Sequence, residues 1–396
     1  MSPHPSNSLN PHAIPQPVGA GQGAGASLLA HAEAELSRIA AANRLRTLVA
    51  TTRDITSVSP VLHRAGRAFI SFSCNDYLGL ATHPAVLAAA QAAIAAHGAG
   101  ARASRFVTGN HPLLDALEAE LAAAKGTPAT LFGTGYLANL GTITALMGPG
   151  DTVLLDELAH SCLFAGARAS GARFHRFRHN DLNHLAQALR AARARARRIL
   201  VATESVFSMD GDRAPIADIL ALTEANDAWL LVDDAHGFGV LPRGPKVPLA
   251  MGTLSKALGS QGGYVCAAAP VVRLLHHKAA SQIYSTALPP ASAAAALAAL
   301  RLAVAEPERG ARALANATLF AEAAGLPAPQ SQIVPLRLGS EQAALHAEAR
   351  LADAGFLAIA IRPPTVPEGT ARLRLAFTAN HQPADIARLA ALVRGL

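Results

Sequence analysis

The sequence predicts an α/β protein with a doubly wound, mainly parallel sheet, followed by a smaller C-terminal α+β lobe. From about residue 112 onward, short apolar stretches alternate with helical patterns. The apolar stretches are continuous, which is typical of parallel strands covered by helices on both faces. With 396 residues, 51% of them hydrophobic and 15% charged, the chain is long and apolar enough to fold into two or three lobes.

The chain is predicted to divide into four parts. Residues 1–26 are rich in Pro, Gly, Ser and Asn, and we expect a flexible tail there. Residues 27–75 should form a helix, which Ser27 would cap, and a few strands. Residues 76–288 are the expected large domain, and residues 289–396 the α+β lobe.

The predicted elements of the large domain alternate along the chain. Its helices are expected at 112–126, after Gly135, after residue 157, at 181–196 and at 215–226. Its strands are expected at 130–133, 152–157, 173–177, 199–207 and 228–233. For the C-terminal lobe we expect a long helical stretch after Leu288, strands at 333–339, 357–364 and 371–377, and helices near 341–354 and 383–394.

Composition argues against several classes of partner. The net charge is +7, but the densest basic run, "RAARARARRIL", alternates Arg with Ala and has no aromatic residue for base stacking. It indicates a solvated helix face, so no nucleic-acid partner is expected. Cys74, Cys162 and Cys266 lie far apart and form no CxxC pair, so neither a metal site nor a disulfide is expected. The start of the chain has no secretory or transit pattern, and no apolar run would span a membrane, so we expect a cytoplasmic protein.

Two carboxylates and a histidine follow an apolar strand in "LLVDDAHGFGV". In an open α/β sheet, ligands bind beyond the carboxyl ends of the strands, which is where Asp233, Asp234 and His236 would lie. An acid at a strand end can equally cap the next helix. Three other ligand-binding classes lack their motifs, because the chain has no GxxxxGK[ST], no GxGxxG between strand and helix, and no GxSxG.

A lysine adds a candidate nucleophile to this predicted ligand-binding edge. Lys256, in "TLSKALG", is flanked by small, apolar and hydroxyl residues, and a desolvated lysine is a candidate for Schiff-base chemistry. Pyridoxal phosphate joins such a lysine to a carboxylate at its ring nitrogen, a part that Asp233 could take, with His236 near the ring hydroxyl. In "FGTGYLANL", the amides of Gly135 and Tyr136 could hold a phosphate at a helix N-terminus.

The ordered set of motifs resembles the α-oxoamine synthase family, pyridoxal-phosphate enzymes of fold type I. The matching segments run from about residue 70 to residue 378. They are "FSCNDYLGLATHP", "LFGTGYLANLG", "DELAHSC", "FRHNDLNHL", "TESVFSMDGDRAPI", "LVDDAHGFGV", "GTLSKALGSQGGYV", "YSTALPP" and "IRPPTVPEGTARLRLAF".

The resemblance implies a role for each matching residue. It makes Lys256 the imine lysine and Asp233 the partner of the ring nitrogen. The other cofactor contacts that it implies are His236 and Ser208 at the ring hydroxyl, His160 stacked on the ring face, and Thr253 with the amides of Gly135 and Tyr136 at the phosphate. Simpler alternatives remain for some of these: His160 would cap a helix, and Ser208 would belong to the turn "SMDG".

The resemblance also implies the substrate contacts. Arg374 would bind the amino-acid carboxylate, with Asn75 nearby and Arg362 in the same C-terminal segment. The alternative for Arg374 is a surface position on a strand. Arg44 and Arg46, in "NRLRTL", are candidates for an anion at the end of an acyl chain.

The implied reaction is a decarboxylative condensation of L-alanine with pimeloyl-CoA or a pimeloyl carrier protein, in biotin biosynthesis, with Lys256 removing the α-proton. The family's other branches, which are 2-amino-3-ketobutyrate ligase, 5-aminolevulinate synthase and serine palmitoyltransferase, are the alternatives, as is a catalytically idle scaffold. One departure concerns acyl selection, because Arg102 and Ala103 stand where small residues are usual in the family.

The resemblance further implies a homodimer with shared sites. In "IYSTALPP", Thr286, perhaps with Ser285, would reach the cofactor phosphate of the neighbouring subunit. The alternative is that these hydroxyls only cap the helix that begins at Pro289 and Pro290.

Overall fold

A computed structural model describes residues 25–396 of the chain. Residues up to Leu48 form one compact unit and Val49–Leu396 another. The predicted tail, residues 1–26, lies outside the described residues except for its last two positions. Helix α1 (Ala26–Ala41) follows Gly25, whose φ of 133° favours glycine, and no side chain caps it. The prediction that Ser27 caps this helix is therefore wrong, because Ser27 lies within the first turn.

The second unit contains fourteen strands and twelve further helices, apart from a π-helical turn at Arg105–Gly109. The strands are β1 (Thr52–Arg53), β2 (Val61–Arg64), β3 (Arg67–Ser71), β4 (Ala129–Phe132), β5 (Thr152–Asp156), β6 (Arg173–Phe177), β7 (Ile199–Glu204), β8 (Trp229–Asp233), β9 (Leu249–Thr253), β10 (Gly263–Ala267), β11 (Ile333–Gly339), β12 (Phe356–Leu357), β13 (Ala360–Ile361) and β14 (Ala371–Ala376). The helices are α2 (Pro84–His97), α3 (Pro112–Lys125), α4 (Gly135–Leu146), α5 (Ser161–Ala169), α6 (Leu182–Arg193), α7 (Ile216–Ala225), α8 (Ala269–Lys278), α9 (Ala280–Ile283), α10 (Pro290–Ala305), α11 (Glu308–Ala324), α12 (Glu341–Asp353) and α13 (Pro383–Val393).

The central sheet has seven strands in the order β4-β10-β9-β8-β7-β5-β6. Strand β10 is antiparallel to both of its neighbours, and the remaining strands are parallel to one another. The carboxyl ends of those six strands therefore lie along one edge of the sheet. This shared edge is what brings residues from distant parts of the sequence together.

Helices cover both faces of the central sheet, which confirms the doubly wound prediction. Strand β5 illustrates it, since Leu154 packs against Leu185 of α6, whereas its neighbour Leu155 belongs to the apolar cluster that contains Ile143 of α4 and Leu163 of α5. Successive residues of a strand point to opposite faces, so a strand with helices on both sides must be apolar throughout.

Strand β10 has no counterpart among the predicted elements. Its direction follows from the short connection of residues 254–262 after β9, because a parallel partner would need a crossover of a dozen or more residues. In the described part of the chain, no helix has both the length and the apolarity needed to cross a bilayer.

The C-terminal lobe is built around a three-stranded antiparallel sheet, β11-β14-β13, with α11, α12 and α13 against it. Phe72, which follows β3, is fully buried in the same apolar cluster as Phe320 and Phe377. Strand β3 pairs in parallel with β12, so the early segment is continuous with the last lobe.

The single strand predicted at 357–364 is two short strands in different sheets. Strand β12 pairs with β3, whereas β13 pairs with β14. Between them the amide of Ile359 donates to Ser73 Oγ at 2.9 Å, so a side chain interrupts the backbone ladder at this point.

Candidate active site

Four polar residues end neighbouring parallel strands at the same edge of the central sheet. Asp156, Glu204, Asp233 and Thr253 are the last residues of β5, β7, β8 and β9, and all four are buried. Glu204 pairs in register with Asp233 across β7 and β8, so the two side chains lie on the same face of the sheet. The predicted position of Asp233 at a ligand-binding edge fits this arrangement.

Asp233 is held by neutral donors. Its Oδ1 accepts from the amide of Ala235 at 2.9 Å, and its Oδ2 accepts from Asn139 Nδ2 at 2.8 Å. Burial raises the pKa of Asp233, and the nearby amine of Lys256 opposes that rise. Since no cation neutralises it by direct contact among the described residues, its charge is available to a positively charged group placed beside it.

Lys256 lies in the turn after β9 and faces the same edge. Its Nζ lies 2.6 Å from Nε2 of His236, which follows β8. Burial lowers the pKa of Lys256, whereas the carboxylates of Asp233 and Glu204 raise it, and the net shift is downward. A lowered pKa makes the free amine, the nucleophilic and basic form, more abundant.

His236 begins a chain of hydrogen bonds that ends at an arginine. Its Nδ1 lies 2.6 Å from the hydroxyl of Tyr77, which in turn donates to Asn75 Oδ1 at 3.0 Å. Arg374 donates to both, to Tyr77 at 3.1 Å and to Asn75 at 3.1 Å. Burial lowers the pKa of His236 well below its ordinary value. The hydrogens therefore fit one direction, with Lys256 donating to a neutral His236 that donates to Tyr77.

Arg374 is buried on β14, so the alternative of a surface strand position is wrong. Its Nε donates to the backbone oxygen of Ser208 and its two outer nitrogens donate to the pair described above. A buried guanidinium whose protein partners are all neutral can bind a carboxylate. Ser208 lies in a tight turn, as its alternative predicted, with Gly211 donating to the carbonyl of Phe207 at 2.9 Å.

His160 caps helix α5, which was its simpler interpretation. The Nδ1 atom accepts from the amide of Cys162 at 3.3 Å and lies 2.9 Å from its Sγ. Burial by these neighbours lowers the pKa of His160, which Asp233 raises and Lys256 lowers further. The residue is nevertheless exposed, so its cap does not preclude the predicted stacking on a ring.

The N-terminus of α4 fits a phosphate. Thr134 caps the helix by accepting from Leu137 at 3.1 Å, and the amides of Gly135 and Tyr136 have no acceptor within residues 25–396. A Cβ on Gly135 would lie 3.4 Å from Thr253, so the threonine side chain is beside these amides. Unpaired amides at the start of a twelve-residue helix are a site for an anionic group.

Together these residues fit the parts of pyridoxal phosphate that the sequence assigned to them. Unpaired amides face the phosphate position, a carboxylate without a cation suits the ring nitrogen, and a lysine with a lowered pKa suits the aldehyde. No group of three His, Cys, Asp or Glu suited to a metal ion occurs in the described chain.

The remaining predicted site residues are Thr286, Arg362, Arg44 and Arg46. Thr286 is exposed and pairs with Ser104 in an isolated β-bridge. Arg362 directly follows β13. Arg44 and Arg46 belong to the first compact unit, which ends at Leu48. The roles assigned to these residues stay predictions.

Arg102, the departure noted in the sequence, has an unusual backbone. Its φ is 66°, in the left-handed region that favours glycine. Arg102, which stands where the resemblance implies a small residue, therefore has a backbone conformation that favours glycine.

Three residues of the site were missed by the sequence interpretation. Tyr77 and Asn139 lie inside the quoted segments "FSCNDYLGLATHP" and "LFGTGYLANLG", so a signal was present without a role. Glu204 lies inside the quoted segment "TESVFSMDGDRAPI" and ends an apolar strand like Asp233, which was a signal of the same kind. Burial raises the pKa of Glu204 well above its ordinary value, and Asp233 adds to the rise.

Comparisons with known proteins agree on the fold and the chemistry. The sequence model of the class I and II aminotransferase family matches residues 67–393. A protein of Methylobacterium sp. (strain 4-46), called 8-amino-7-oxononanoate synthase, is 59% identical over 365 residues, or 92% of this chain and 96% of the relative. A second protein of that name, from Methylorubrum populi, is 54% identical over 391 residues, or 98% of this chain and 95% of the relative.

Solved structures are similar over most of the chain. Serine palmitoyltransferase of Sphingomonas wittichii has a TM-score of 0.85 at 28% identity and covers 94% of this chain and 96% of its own. The enzyme of S. paucimobilis, with a bound PLP–myriocin aldimine, has a TM-score of 0.84 at 28% identity, with 93% and 97% covered. An 8-amino-7-oxononanoate synthase of Francisella tularensis, 24% identical with a TM-score of 0.71 over 83% and 97%, shows the shared fold.

Proposed function

The chain belongs to the class I and II aminotransferase family, and from that premise we propose that it condenses L-alanine with a pimeloyl thioester and releases CO2. Pyridoxal 5′-phosphate is its cofactor, and the α-oxoamine synthases of fold type I are its group. The activity named for its relatives over nearly the whole chain, 8-amino-7-oxononanoate synthase, is a C-acyl transfer to an amino acid with decarboxylation. The amino substrate and the acyl donor are the finer part of the proposal.

Lys256 carries the proposal. When bound, pyridoxal phosphate supplies an electron sink that draws electrons from the α-carbon of an amino acid. The Nζ of Lys256 would hold the cofactor and, as a free amine, would accept the α-proton of the amino acid. His236 is neutral, and its Nε2 lies 2.6 Å from the Nζ of Lys256. It therefore orients the amine by a hydrogen bond and adds no positive charge beside it.

Binding of the amino acid is assigned to Arg374. Its planar guanidinium offers two parallel donors to a carboxylate. Asn75 and Tyr77 hold the guanidinium by its outer nitrogens, so the fork is fixed before a substrate enters. Asp233 would be the partner of the cofactor ring nitrogen, and its charge would favour the protonated form of that nitrogen.

The test crosses amino acids with thioesters. Alanine, glycine and serine are each combined with pimeloyl-, succinyl-, acetyl- and palmitoyl-CoA and with a pimeloyl carrier protein, and the release of thiol and CO2 is followed. We expect turnover with alanine and pimeloyl thioester, and the better of the two carriers names the donor. Turnover restricted to serine with palmitoyl-CoA would move the chain to the branch of its structural neighbours.

We propose Arg44 and Arg46 as receivers of the distal carboxylate of the acyl chain. Replacing both by Gln removes two cations and should raise KM for the pimeloyl thioester while the KM for alanine is unchanged. Equal effects on both constants would contradict an acyl-specific role.

We also propose a homodimer in which Thr286 of one subunit reaches the cofactor phosphate of the other. Its support is that Thr286 is exposed and lies on an exposed segment with Tyr284, which is 84% exposed. Mixing Lys256→Ala with Thr286→Ala subunits would form hybrid dimers with one intact site. Activity that stays at the sum of the parents after proven subunit exchange would refute the shared site.

A further inference from the structure

The segment "FRHND", which follows β6, places a histidine between two carboxylates beside the active site. His179 Nδ1 lies 2.9 Å from Oδ1 of Asp156, and His179 Nε2 lies 2.6 Å from Oδ2 of Asp212. A carboxylate only accepts hydrogen bonds, and a neutral imidazole has one N–H. Both contacts are hydrogen bonds only if both ring nitrogens carry hydrogen, which is the imidazolium form.

The rest of the segment supports the same arrangement. The amide of Asn180 donates to Asp156 Oδ2 at 3.0 Å. Its side-chain Nδ2 lies 3.1 Å from Asp212 Oδ2 and 3.2 Å from His179 Nε2, and it donates to the carboxylate when that ring nitrogen carries hydrogen. Asn180 has a φ of 54°, a left-handed conformation that asparagine tolerates better than most residues. Glu157 accepts from the amide of His179 at 2.9 Å. The backbone is therefore fixed so that one ring spans two acids.

The two acids belong to different loops of the active site. Asp156 ends β5 and is fully buried, and its carbonyl accepts from the amide of Ala159, next to His160. Asp212 closes the turn that contains Ser208, because its carbonyl accepts from the amide of Phe207 at 3.0 Å. His179 thus connects the His160 loop to the Ser208 turn through its ring, beside the neutral hydrogen bonds that Asn180 makes to the same two acids.

We propose that His179, as an imidazolium bridging Asp156 and Asp212, is a positioning residue that fixes the loops of His160 and Ser208 against each other. The inference rests on the proposed function only for what those two residues do with the cofactor. The bridge itself depends only on the charge and geometry of His179, Asp156 and Asp212, so it can be tested whatever substrate the enzyme uses.

Electrostatics agree with the bridge. Burial alone lowers the pKa of His179, but the hydrogen bonds and charges of Asp156 and Asp212 outweigh it and raise the pKa to about 10. The charged groups that face this ring are those two carboxylates, and Glu157 contacts its backbone. The Phe207 ring lies edge-on at 4.3 Å and contributes no charge.

The direct test is the protonation state of one ring. In the holoenzyme at pH 8.5, the side-chain 15N spectrum should show a histidine with both nitrogens protonated, and its signal should vanish in His179→Gln. An ordinary histidine, with a pKa of about 6.5, is neutral at that pH. A His179 signal with one unprotonated nitrogen at pH 8.5 would overturn the proposal, whether or not the enzyme is active.

A double-variant cycle tests the positioning role. His179→Gln leaves two carboxylates without their shared cation, so pyridoxal phosphate should bind about tenfold more weakly. Adding Asp212→Asn removes the repulsion and should restore binding to within about threefold of wild type. A double variant as weak as the sum of both single changes would mean that His179 only fills space, and would refute the bridge.

Two further variants serve as the control and as the substitute for a variant that does not fold. His184→Gln is the matched control, since His184 lies five residues after His179, at the start of α6, and its Nδ1 accepts from the amide of Arg178 at 2.9 Å. We expect cofactor affinity within about twofold of wild type there. Should His179→Gln fail to fold, Asp212→Asn alone is measured, and the titration midpoint of His179 must fall, because one of its two anions is gone.

Discussion

Asp233 and Asp234 are consecutive carboxylates whose surroundings differ completely. Asp233 accepts from an asparagine of α4 and a backbone amide, whereas Asp234 accepts from Lys125 of α3 at 2.6 Å and from Ser205 at 2.7 Å. The two helices lie in apolar clusters on opposite faces of the sheet. One acid keeps its charge for a ligand, and the other is neutralised by the protein.

The comparison extends to the space around each acid. A Cβ on Gly237 would lie 2.4 Å from Asp234 Oδ1 and 2.5 Å from Ser205 Oγ, so only glycine fits beside the ion pair. Lys125 also lies over the ring of Phe238, at 4.7 Å from its centroid. Lys125 and Ser205 hold Asp234 in the turn after β8, whereas the hydrogen-bond partners of Asp233 are neutral. Asp233 is buried and Asp234 is partly exposed, so the acid without a cation partner is the more deeply buried of the two.

The largest expected difference is between the two lysines. Lys256→Ala should reduce turnover at least about a thousandfold, because it removes the cofactor attachment and the base together. Lys125→Ala should keep turnover within about threefold, because its ammonium contacts Asp234 and the Phe238 ring and has no assigned part in the reaction. Steady-state rates measure both, and borohydride reduction with peptide mapping should find the pyridoxyl group on Lys256. A label on any other lysine would contradict the assignment.

The next difference is between the two acids. Asp233→Asn should slow exchange of the α-hydrogen of alanine in heavy water about a hundredfold, because an amide cannot hold the ring nitrogen's proton by charge. Asp234→Asn should leave exchange nearly unchanged but lower the free energy of unfolding by about 2 kcal/mol, since Lys125 remains partly buried without its counter-charge. Proton NMR and urea unfolding measure the two. Equal exchange rates in the two variants would remove the distinction.

A smaller effect should separate two arginines of β14. Arg374→Lys should raise KM for alanine about tenfold, because an ammonium cannot form the planar two-point contact. Arg372, which is bound to Asp210, is the control, and Arg372→Lys should leave that KM within about twofold. A rise of the same size in both variants would indicate a general distortion of the strand.

The smallest effect concerns Glu204, and it depends on pH. A group whose pKa is raised in the folded state stabilises the protein fully below its unfolded pKa and loses that contribution as pH rises. Glu204→Gln mimics the protonated acid at every pH. Wild type and variant should therefore be about equally stable below pH 4.5, the ordinary value, and the wild type should become the less stable as pH rises above it. Urea unfolding at several pH values measures this, and a gap that does not change with pH would show that the pKa of Glu204 is not raised in the folded state.

The position of Asp233 at the ligand-binding edge could be predicted from the sequence because the topology of the sheet determines where its strands end. Parallel strands deliver their carboxyl ends to one edge, so Asp233 and Lys256 could be brought together without coordinates. Apolar runs and helical spacing predicted the helices and strands between residues 112 and 233, whereas β9 and β10 were not among the predicted elements. Partners that arise only from packing could not be found in this way: Tyr77 meets His236 because β3 and its following turn join the C-terminal lobe, and no local pattern records that contact.

Caps and orientations were less predictable. His160 was given two interpretations, and the structure contains the cap while leaving the side chain exposed for the other. Strand β14 is buried on both faces, so alternation could not tell which way Arg374 points. Ser27 failed as a cap because Gly25 begins the helix earlier than the apolar pattern indicated.

The parallel pairing of β3 with β12 has a consequence for biosynthesis. Ile70 pairs with Phe356, so a strand made early must wait for a partner that emerges from the ribosome near the end of translation. Contacts between such distant parts of a chain form slowly, and domains made first tend to fold first. The large domain, with Asp233 and Lys256, can assemble while β3 is paired only with β2 and its other edge still lacks β12. Arg374 follows β12 in the chain, so the residue assigned to the substrate carboxylate arrives last, and a nascent chain would gain its cofactor pocket before its specificity for an amino acid.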